Sequence, residues 1–339
     1  MNILIIGGTG FISSRVVDKL LSKGHKITLV NRGKTRNELQ ENRNLSLVHC
    51  DRNDKKVLSD LASKQKFDVV YDMIAYNEKD SQTAIDVFKN KIGRFIHCST
   101  ISVYMLQQDV RIPVTEDQIN LELMKEFKRS PFGWDYGINK IKCENILWKN
   151  HNNKSFPVSM LRPTYVSGPK DPACRDWFWI ERIIDGKPLL IPGDGNFRFQ
   201  QVYIEDVAEA FCKVIETEKS IGEAYNVAGG EAFTLNEYLL QLMKLLNKNV
   251  EVFHIDQQEF DKLEISYSPE GDVFTFNTRR DAVFSLQKIN EHLGYTTTPF
   301  DDYMKTTIEW FLNEHKRNSA GYARRDKEIK IINSLKINA

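Results

Sequence analysis

ILIIGGTGFISSRVV, residues Ile3–Val17, joins an aliphatic run to a glycine-rich turn and then to an amphipathic segment. Short apolar runs without alternation suit strands buried on both faces, as in parallel sheets. The turn Gly7-Gly8-Thr9-Gly10-Phe11-Ile12-Ser13 therefore sits between a strand and a helix. In that setting glycines cradle the pyrophosphate of a dinucleotide. Gly7 permits the tight turn. Gly10 lets the backbone approach the phosphates at the positive end of a helix that begins near Phe11 and Ile12. The last glycine of the pattern, which allows close helix–strand packing, is replaced by Ser13; its small size predicts a slight shift rather than loss of the cradle.

Outward from this turn the pattern repeats. "KITLVNR", "LSLVHCD", "DVVYDMI", "RFIHCST" and "VSMLRPT" read as buried strands, and "SSRVVDKLLSKG" and "SQTAIDVFKNKIG" as helices closing on Gly24 and Gly93. The alternation predicts an α/β chain with a doubly wound parallel sheet. After about Arg162, Pro and Gly cluster and helical segments dominate. The expected division is a dinucleotide-binding domain over 1–163, with segments near 200–227 returning to it, a smaller α+β substrate lobe over 164–320, and a basic, solvated tail over 321–339.

Composition narrows the function classes. Of 339 residues, 41% are hydrophobic and 27% charged, and the net charge is +1, which gives no electrostatic argument for nucleic acid or an anionic membrane. No apolar run approaches the roughly 20 residues of a membrane helix, and the N-terminal residues read as a strand rather than a signal peptide. The five scattered cysteines form no CxxC pair, so neither a metal site nor a disulfide framework is expected, and a cytoplasmic location is.

The second strand ends at Asn31-Arg32. An acidic residue there would bond a ribose 2′-hydroxyl; a neutral residue followed by a guanidinium suits a 2′-phosphate, so either NAD or NADP is expected, with a slight preference for NADP. Asp51, after the third strand, is placed to accept from the adenine amino group or to cap the next helix. Ser99 and Thr100 fall at the carboxyl end of a strand, where open α/β sheets bind ligands. Tyr136 and Lys140 are four apart and share a helical face. A cation beneath a phenol lowers its pKa and fits it for general acid–base work, and a hydroxyl at Thr100 can bond the same substrate oxygen.

These residues, with "GGTGFI" (7–12), "STISVY" (99–104), Tyr136-Gly-Ile-Asn-Lys140, "LRPTYVSGP" (161–169), "GDGNFRFQQVYIEDVAEAF" (193–211) and "YNVAGGEAFTLNEY" (225–238), resemble the extended short-chain dehydrogenase/reductases of the NAD-dependent epimerase/dehydratase type. The resemblance covers nearly the whole chain in order. It implies a Rossmann domain holding NAD(P), a substrate lobe, a catalytic set of Thr100, Tyr136 and Lys140, and a homodimer built on the helices around 81–91 and 136–150. Dehydratases of this type place Asp-Glu after the triad Thr, where this chain has Ile101 and Ser102. That disfavours dehydration and leaves a sugar or nucleotide-sugar epimerase, with an NADPH-dependent reductase of a sugar-like ketone as the alternative. Nucleotide-sugar members carry an Asn at Tyr165 and an Arg at Phe199, so Tyr165 and Arg198, with Arg175 or Arg182, become the candidate substrate contacts. Trp177, in the cluster Trp177-Phe178-Trp179, either stacks on a base or sugar or, the favoured reading, packs between the two lobes. The segment "LELMKEFKRSPFGW" (121–134) is a candidate lid helix. "DMIAYN" (72–77), "NRG" and "ISVY" also resemble a subgroup that includes chloroplast stem-loop RNA-binding proteins, which implies a third reading, an RNA binder on a Rossmann scaffold.

Overall fold

In a computed structural model the protein is described over residues 1–34, 42–126, 133–263, 274–276, 279–314 and 318–338. The N-terminal strands are β1 (Asn2–Ile6), β2 (Lys26–Asn31), β3 (Leu45–His49), β4 (Val69–Asp72), β5 (Arg94–Cys98) and β6 (Val158–Pro163). Five more strands follow before the last two: β7 (Tyr165–Ser167), β8 (Leu189–Pro192), β9 (Arg198–Phe199), β10 (Gln201–Tyr203) and β11 (Glu223–Val227), then β12 (Phe233–Thr234) and β13 (Val252–Ile255). One seven-stranded sheet runs β11-β6-β5-β4-β1-β2-β3, every pair parallel. This is the doubly wound Rossmann arrangement. Its order reverses between β1 and β4, so a crevice opens at their carboxyl ends.

The two faces follow from side-chain alternation. Ile3 and Ile5 pack with Val16, Val17 and Leu20 of α1 (Phe11–Ser22) and with Val207 and Phe211 of α7 (Ile204–Lys213). Leu4 and Ile6 face the other way, toward Leu58 of α2 (Lys55–Lys64), Ile85 and Phe88 of α3 (Glu78–Phe88) and Leu147 of α5 (Trp134–Asn152). Each such buried side chain contributes about 1.5–3 kcal/mol. β3 departs from the expectation of a strand buried on both faces: it is the sheet edge, and Leu47 is 44% exposed. Gly24, at φ +80°, follows α1 as expected, but α3 runs Glu78–Phe88 and ends before Gly93, which instead passes close to the Asp68 carbonyl.

The remaining strands form two-stranded pieces: β10 beside β7, β9 beside β12, and β8 beside β13. With α6 (Arg175–Ile184), α8 (Leu235–Leu245) and α11 (Phe300–Glu314) they enclose a separate core around Trp179, Leu239 and Phe300. α8 starts on a reciprocal cap, Thr234 accepting from Glu237 N and Glu237 accepting from Thr234 N. Residues 121–126 are not helical, which corrects that part of the expected lid; residues 127–132 lie outside the described set.

The tail is also not a solvated appendage. Its helix α12 (Arg325–Asn338) docks on α6 and β8. Arg182 and Glu328 are both fully buried and meet at 2.6 Å, and Arg325 bonds both Glu328 and Asp185. Of the tail's positive charges, Arg325 is taken up in these pairs. Removing one partner of a buried pair strands the other's charge. Glu328→Ala is therefore expected to lower the unfolding free energy by about 3–5 kcal/mol, measured by urea denaturation.

Candidate active site

Gly7 closes the turn after β1 at φ +86°, and a Cβ there would lie 2.5 Å from Ile74. A Cβ on Gly8 would lie 2.4 Å from Leu29. Side chains at either position would push the turn off the sheet. Ser13 is accommodated, 4% exposed, and its hydroxyl accepts from Gly10 N at 2.9 Å. The third glycine's role has passed to a residue that braces the turn.

A cleft of about 510 Å³ begins here and crosses the carboxyl ends of the sheet. Its lining includes Gly10, Phe11 and Ile12 from the turn, Ser99 to Ser102 after β5, Tyr136 and Lys140 from α5, and Tyr165, Asp171 and Arg175 from the second lobe. The fold thus brings the glycine turn and the Thr100, Tyr136, Lys140 set into one space. Thr100 Oγ1 is bonded to Ser102, donating to Ser102 Oγ at 3.3 Å and accepting from Ser102 N at 3.2 Å. Lys140 is 2% exposed and donates to the carbonyls of Ala75 at 2.9 Å and Cys98 at 2.5 Å.

The electrostatics differ from expectation. Tyr136 is 40% exposed, yet desolvation by the groups around it pushes the phenol above its usual value. Cys98 adds to the rise, while the Thr100 hydroxyl and the Arg175 charge oppose it. The expected lowering by Lys140 is not the net result, because desolvation dominates and the ammonium is turned to the two carbonyls.

Several functional neighbours escaped the sequence reading. Tyr76 stands at the cleft, its ring 6.4 Å from that of Tyr136 and 5.9 Å from Lys140 Nζ. It is held by a buried cluster in which Arg52 donates to both Asp72 oxygens and Asp80 accepts from Tyr76 N. A charged Asp72 inside "VVYDMI" was the available signal. Glu144, two turns beyond Tyr136 on α5, accepts from Ser99 Oγ at 2.5 Å and from Arg162 at 2.9 and 2.6 Å.

Other expected contacts fall elsewhere. Asn31 Oδ1 accepts from Gly33 N and meets His49, and Arg32 is exposed; neither lines the cleft. Asp51 accepts from Asn53 N, and Asp54, not Asp51, caps α2. Trp177 stacks on Trp310 at 4.7 Å and packs the lobe rather than lining the cleft. Arg198 is ion-paired with Asp281 at 2.5 Å, also away from it. In both cases a nearer partner in the fold holds the side chain.

A family model for the NAD dependent epimerase/dehydratase family matches residues 3–228. The chain belongs to that family. It is an enzyme of the extended short-chain dehydrogenase/reductase type. Among relatives, the chloroplast stem-loop binding protein of 41 kDa b of Arabidopsis thaliana is 26% identical over 76% of this chain and 67% of its own. The UDP-N-acetyl-alpha-D-glucosaminuronate decarboxylase of Bacillus cytotoxicus is 25% identical over 91% of this chain and 97% of its own. Among solved structures, the UDP-glucuronic acid 4-epimerase of Bacillus cereus in complex with NAD superposes with a TM-score of 0.73 at 24% identity, covering 93% of this chain and 100% of that one. Among the described residues, no helix is long and apolar enough to cross a membrane.

Within this epimerase/dehydratase fold the departures have physical counterparts. Ile101 and Ser102 are buried beside Thr100, and Asp171, held by Arg175 and the Ala173 amide, is the one carboxylate among the described lining residues. Beneath the cleft His97 is fully buried, and desolvation, then Lys140, Arg52 and Arg162, drive its pKa well below the usual value. The folded form therefore keeps it neutral while the unfolded chain takes up a proton below about pH 6.5. Its contribution to stability is present above that pH and lost as pH falls toward the folded pKa. Urea unfolding between pH 7 and 5 is expected to show this fall, and His97→Leu to remove up to about 1.4 kcal/mol per pH unit of the slope.

Proposed function

We propose that the protein is a nicotinamide-dinucleotide-dependent epimerase that oxidises a hydroxyl carbon of a sugar or nucleotide-sugar to a ketone and then restores it with either configuration. The observation that carries this reading is the single cleft shared by the glycine turn and by Thr100, Tyr136 and Lys140. The cradle fits a dinucleotide: Gly7 and Gly8 leave no room for side chains, and the first residues of α1 line the cleft. Gly7, Gly10, Phe11 and Ile12 would hold the pyrophosphate, and Lys140 the nicotinamide ribose. When bound, the dinucleotide supplies the hydride acceptor and, in its oxidised form, a positive charge that favours the Tyr136 phenolate.

The chain's own groups handle the proton. Tyr136 removes it from the substrate hydroxyl as the carbon is oxidised and returns it on reduction. Thr100, which lines the same cleft as Tyr136, orients that hydroxyl. With Ile101 and Ser102 beside Thr100, no carboxylate stands there to remove a second proton, so water is not eliminated. Ready exchange of the cofactor would make the same site an NADPH-dependent reductase. The name of the stem-loop binding relative supports a different reading, recognition of a folded nucleic acid, and the +1 net charge speaks against it. A homodimer through α3 and α5 belongs with the enzyme reading and is checked by sedimentation.

Two measurements test the proposal. Denaturing the purified protein is expected to release near-stoichiometric NAD or NADP, which also identifies the cofactor; an empty protein that binds NADPH reversibly would favour the reductase. Tyr136→Phe is expected to lower turnover by about a hundred- to ten-thousand-fold while dinucleotide affinity stays nearly unchanged. Full activity in that variant would remove Tyr136 from the mechanism.

A further inference from the structure

The substrate end of the catalytic cleft is closed by aromatic rings. Tyr165, which lines it, packs edge-on against Phe199 at 6.1 Å and Phe276 at 5.4 Å. Phe199 and Phe276 stack in parallel at 4.7 Å and are almost completely buried. Phe276 also lines a second cleft of about 660 Å³, between the Pro192–Gly195 turn and the residues after His254. The rings therefore stand as a partition between two cavities. A ligand with a sugar in one and a nucleoside in the other would have to place its diphosphate where the rings are.

Charge gives the same answer independently. A buried diphosphate needs cations to replace its hydration. Around the partition three described arginines already hold a carboxylate: Arg175 with Asp171 at 3.1 Å, Arg198 with Asp281 at 2.5 Å, and Arg279 with Asp261 at 2.8 Å. Arg280 donates to the carbonyls of Gln107 and Tyr104. Arg175 is the arginine that lines the catalytic cleft, and Asp171, 1% exposed, balances it. By contrast, Tyr76 and Tyr136 offer rings and hydroxyls and Tyr165 its ring, which suit a polyol.

We infer that the substrate is a free, sugar-sized polyhydroxy compound that carries no nucleoside diphosphate, and that the Tyr165–Phe199–Phe276 partition is what excludes the nucleotide. The inference rests on the epimerase reading above and narrows its substrate class.

Calorimetric titration of the full-length protein with UDP and dTDP, with and without added dinucleotide, tests it directly. Binding weaker than about 1 mM is expected; a micromolar Kd for either overturns the inference. Phe276→Ala, checked for folding by circular dichroism, is expected to bind UDP at least about tenfold more tightly, and unchanged binding in the folded variant removes the partition as the cause. In parallel, free aldoses and uronic acids and their UDP derivatives are screened for reduction of the dinucleotide. Turnover of a free sugar supports the inference, and turnover of UDP-sugars alone overturns it. If neither set reacts, the UDP titration decides. Failure to bind NAD or NADP would instead defeat the underlying epimerase reading, and the two failures are separately visible.

Discussion

A buried ammonium held by two backbone carbonyls organises this molecule. Lys140 Nζ reaches from α5 to the ends of β4 and β5, where the carbonyls of Ala75 and Cys98 receive it. A charge this deep is tolerated only when its donors are satisfied. The contact therefore fixes how far α5 can slide or rotate over the sheet. Tyr136 lies one turn before on the same face and Glu144 one turn after, so the position of one nitrogen sets the phenol in the cleft and the carboxylate under Ser99 and Arg162. Strain or loss at this point would propagate to both ends of the site.

The surrounding polar groups serve the same end. Arg52, between β3 and α2, ties Asp72 to the segment that carries Ala75 and Tyr76. Arg162 joins Glu144 to Tyr104 and the Glu116 carbonyl. These pairs are expensive to desolvate, and their presence beneath a cleft is better understood as positioning than as net stabilisation.

Most of the scaffold was legible in the sequence because its signals are local. Gly7 and Gly10 between a strand and a helix, and the repeated apolar runs, specify the doubly wound sheet without knowledge of distant contacts. The spacing of Tyr136 and Lys140 likewise follows from helical geometry. What was not legible depends on partners far along the chain. Arg198 and Trp177 look available until Asp281 and Trp310 are brought beside them. The tail looks solvated until Glu328 meets Arg182, 146 residues away. Tyr76 carries no spacing signal; the fold alone delivers it to the cleft. The direction of the Tyr136 shift differs for a related reason: proximity in sequence revealed the cation but not the burial of the phenol, which raises it.

The pairing of β11 with β6 has a consequence for modularity. The last strand of the cofactor-side sheet is formed only after the chain has passed through β7 to β10 and α6, which belong to the other lobe, and returned through α7. Neither lobe is a contiguous segment. A cut at any one point leaves β6 as a bare apolar edge or detaches a strand from its sheet, so exchange of whole lobes between relatives is closed to this architecture. New specificity in such a chain has to arise by replacing side chains at the seam, and the seam here is the row of rings at Tyr165, Phe199 and Phe276.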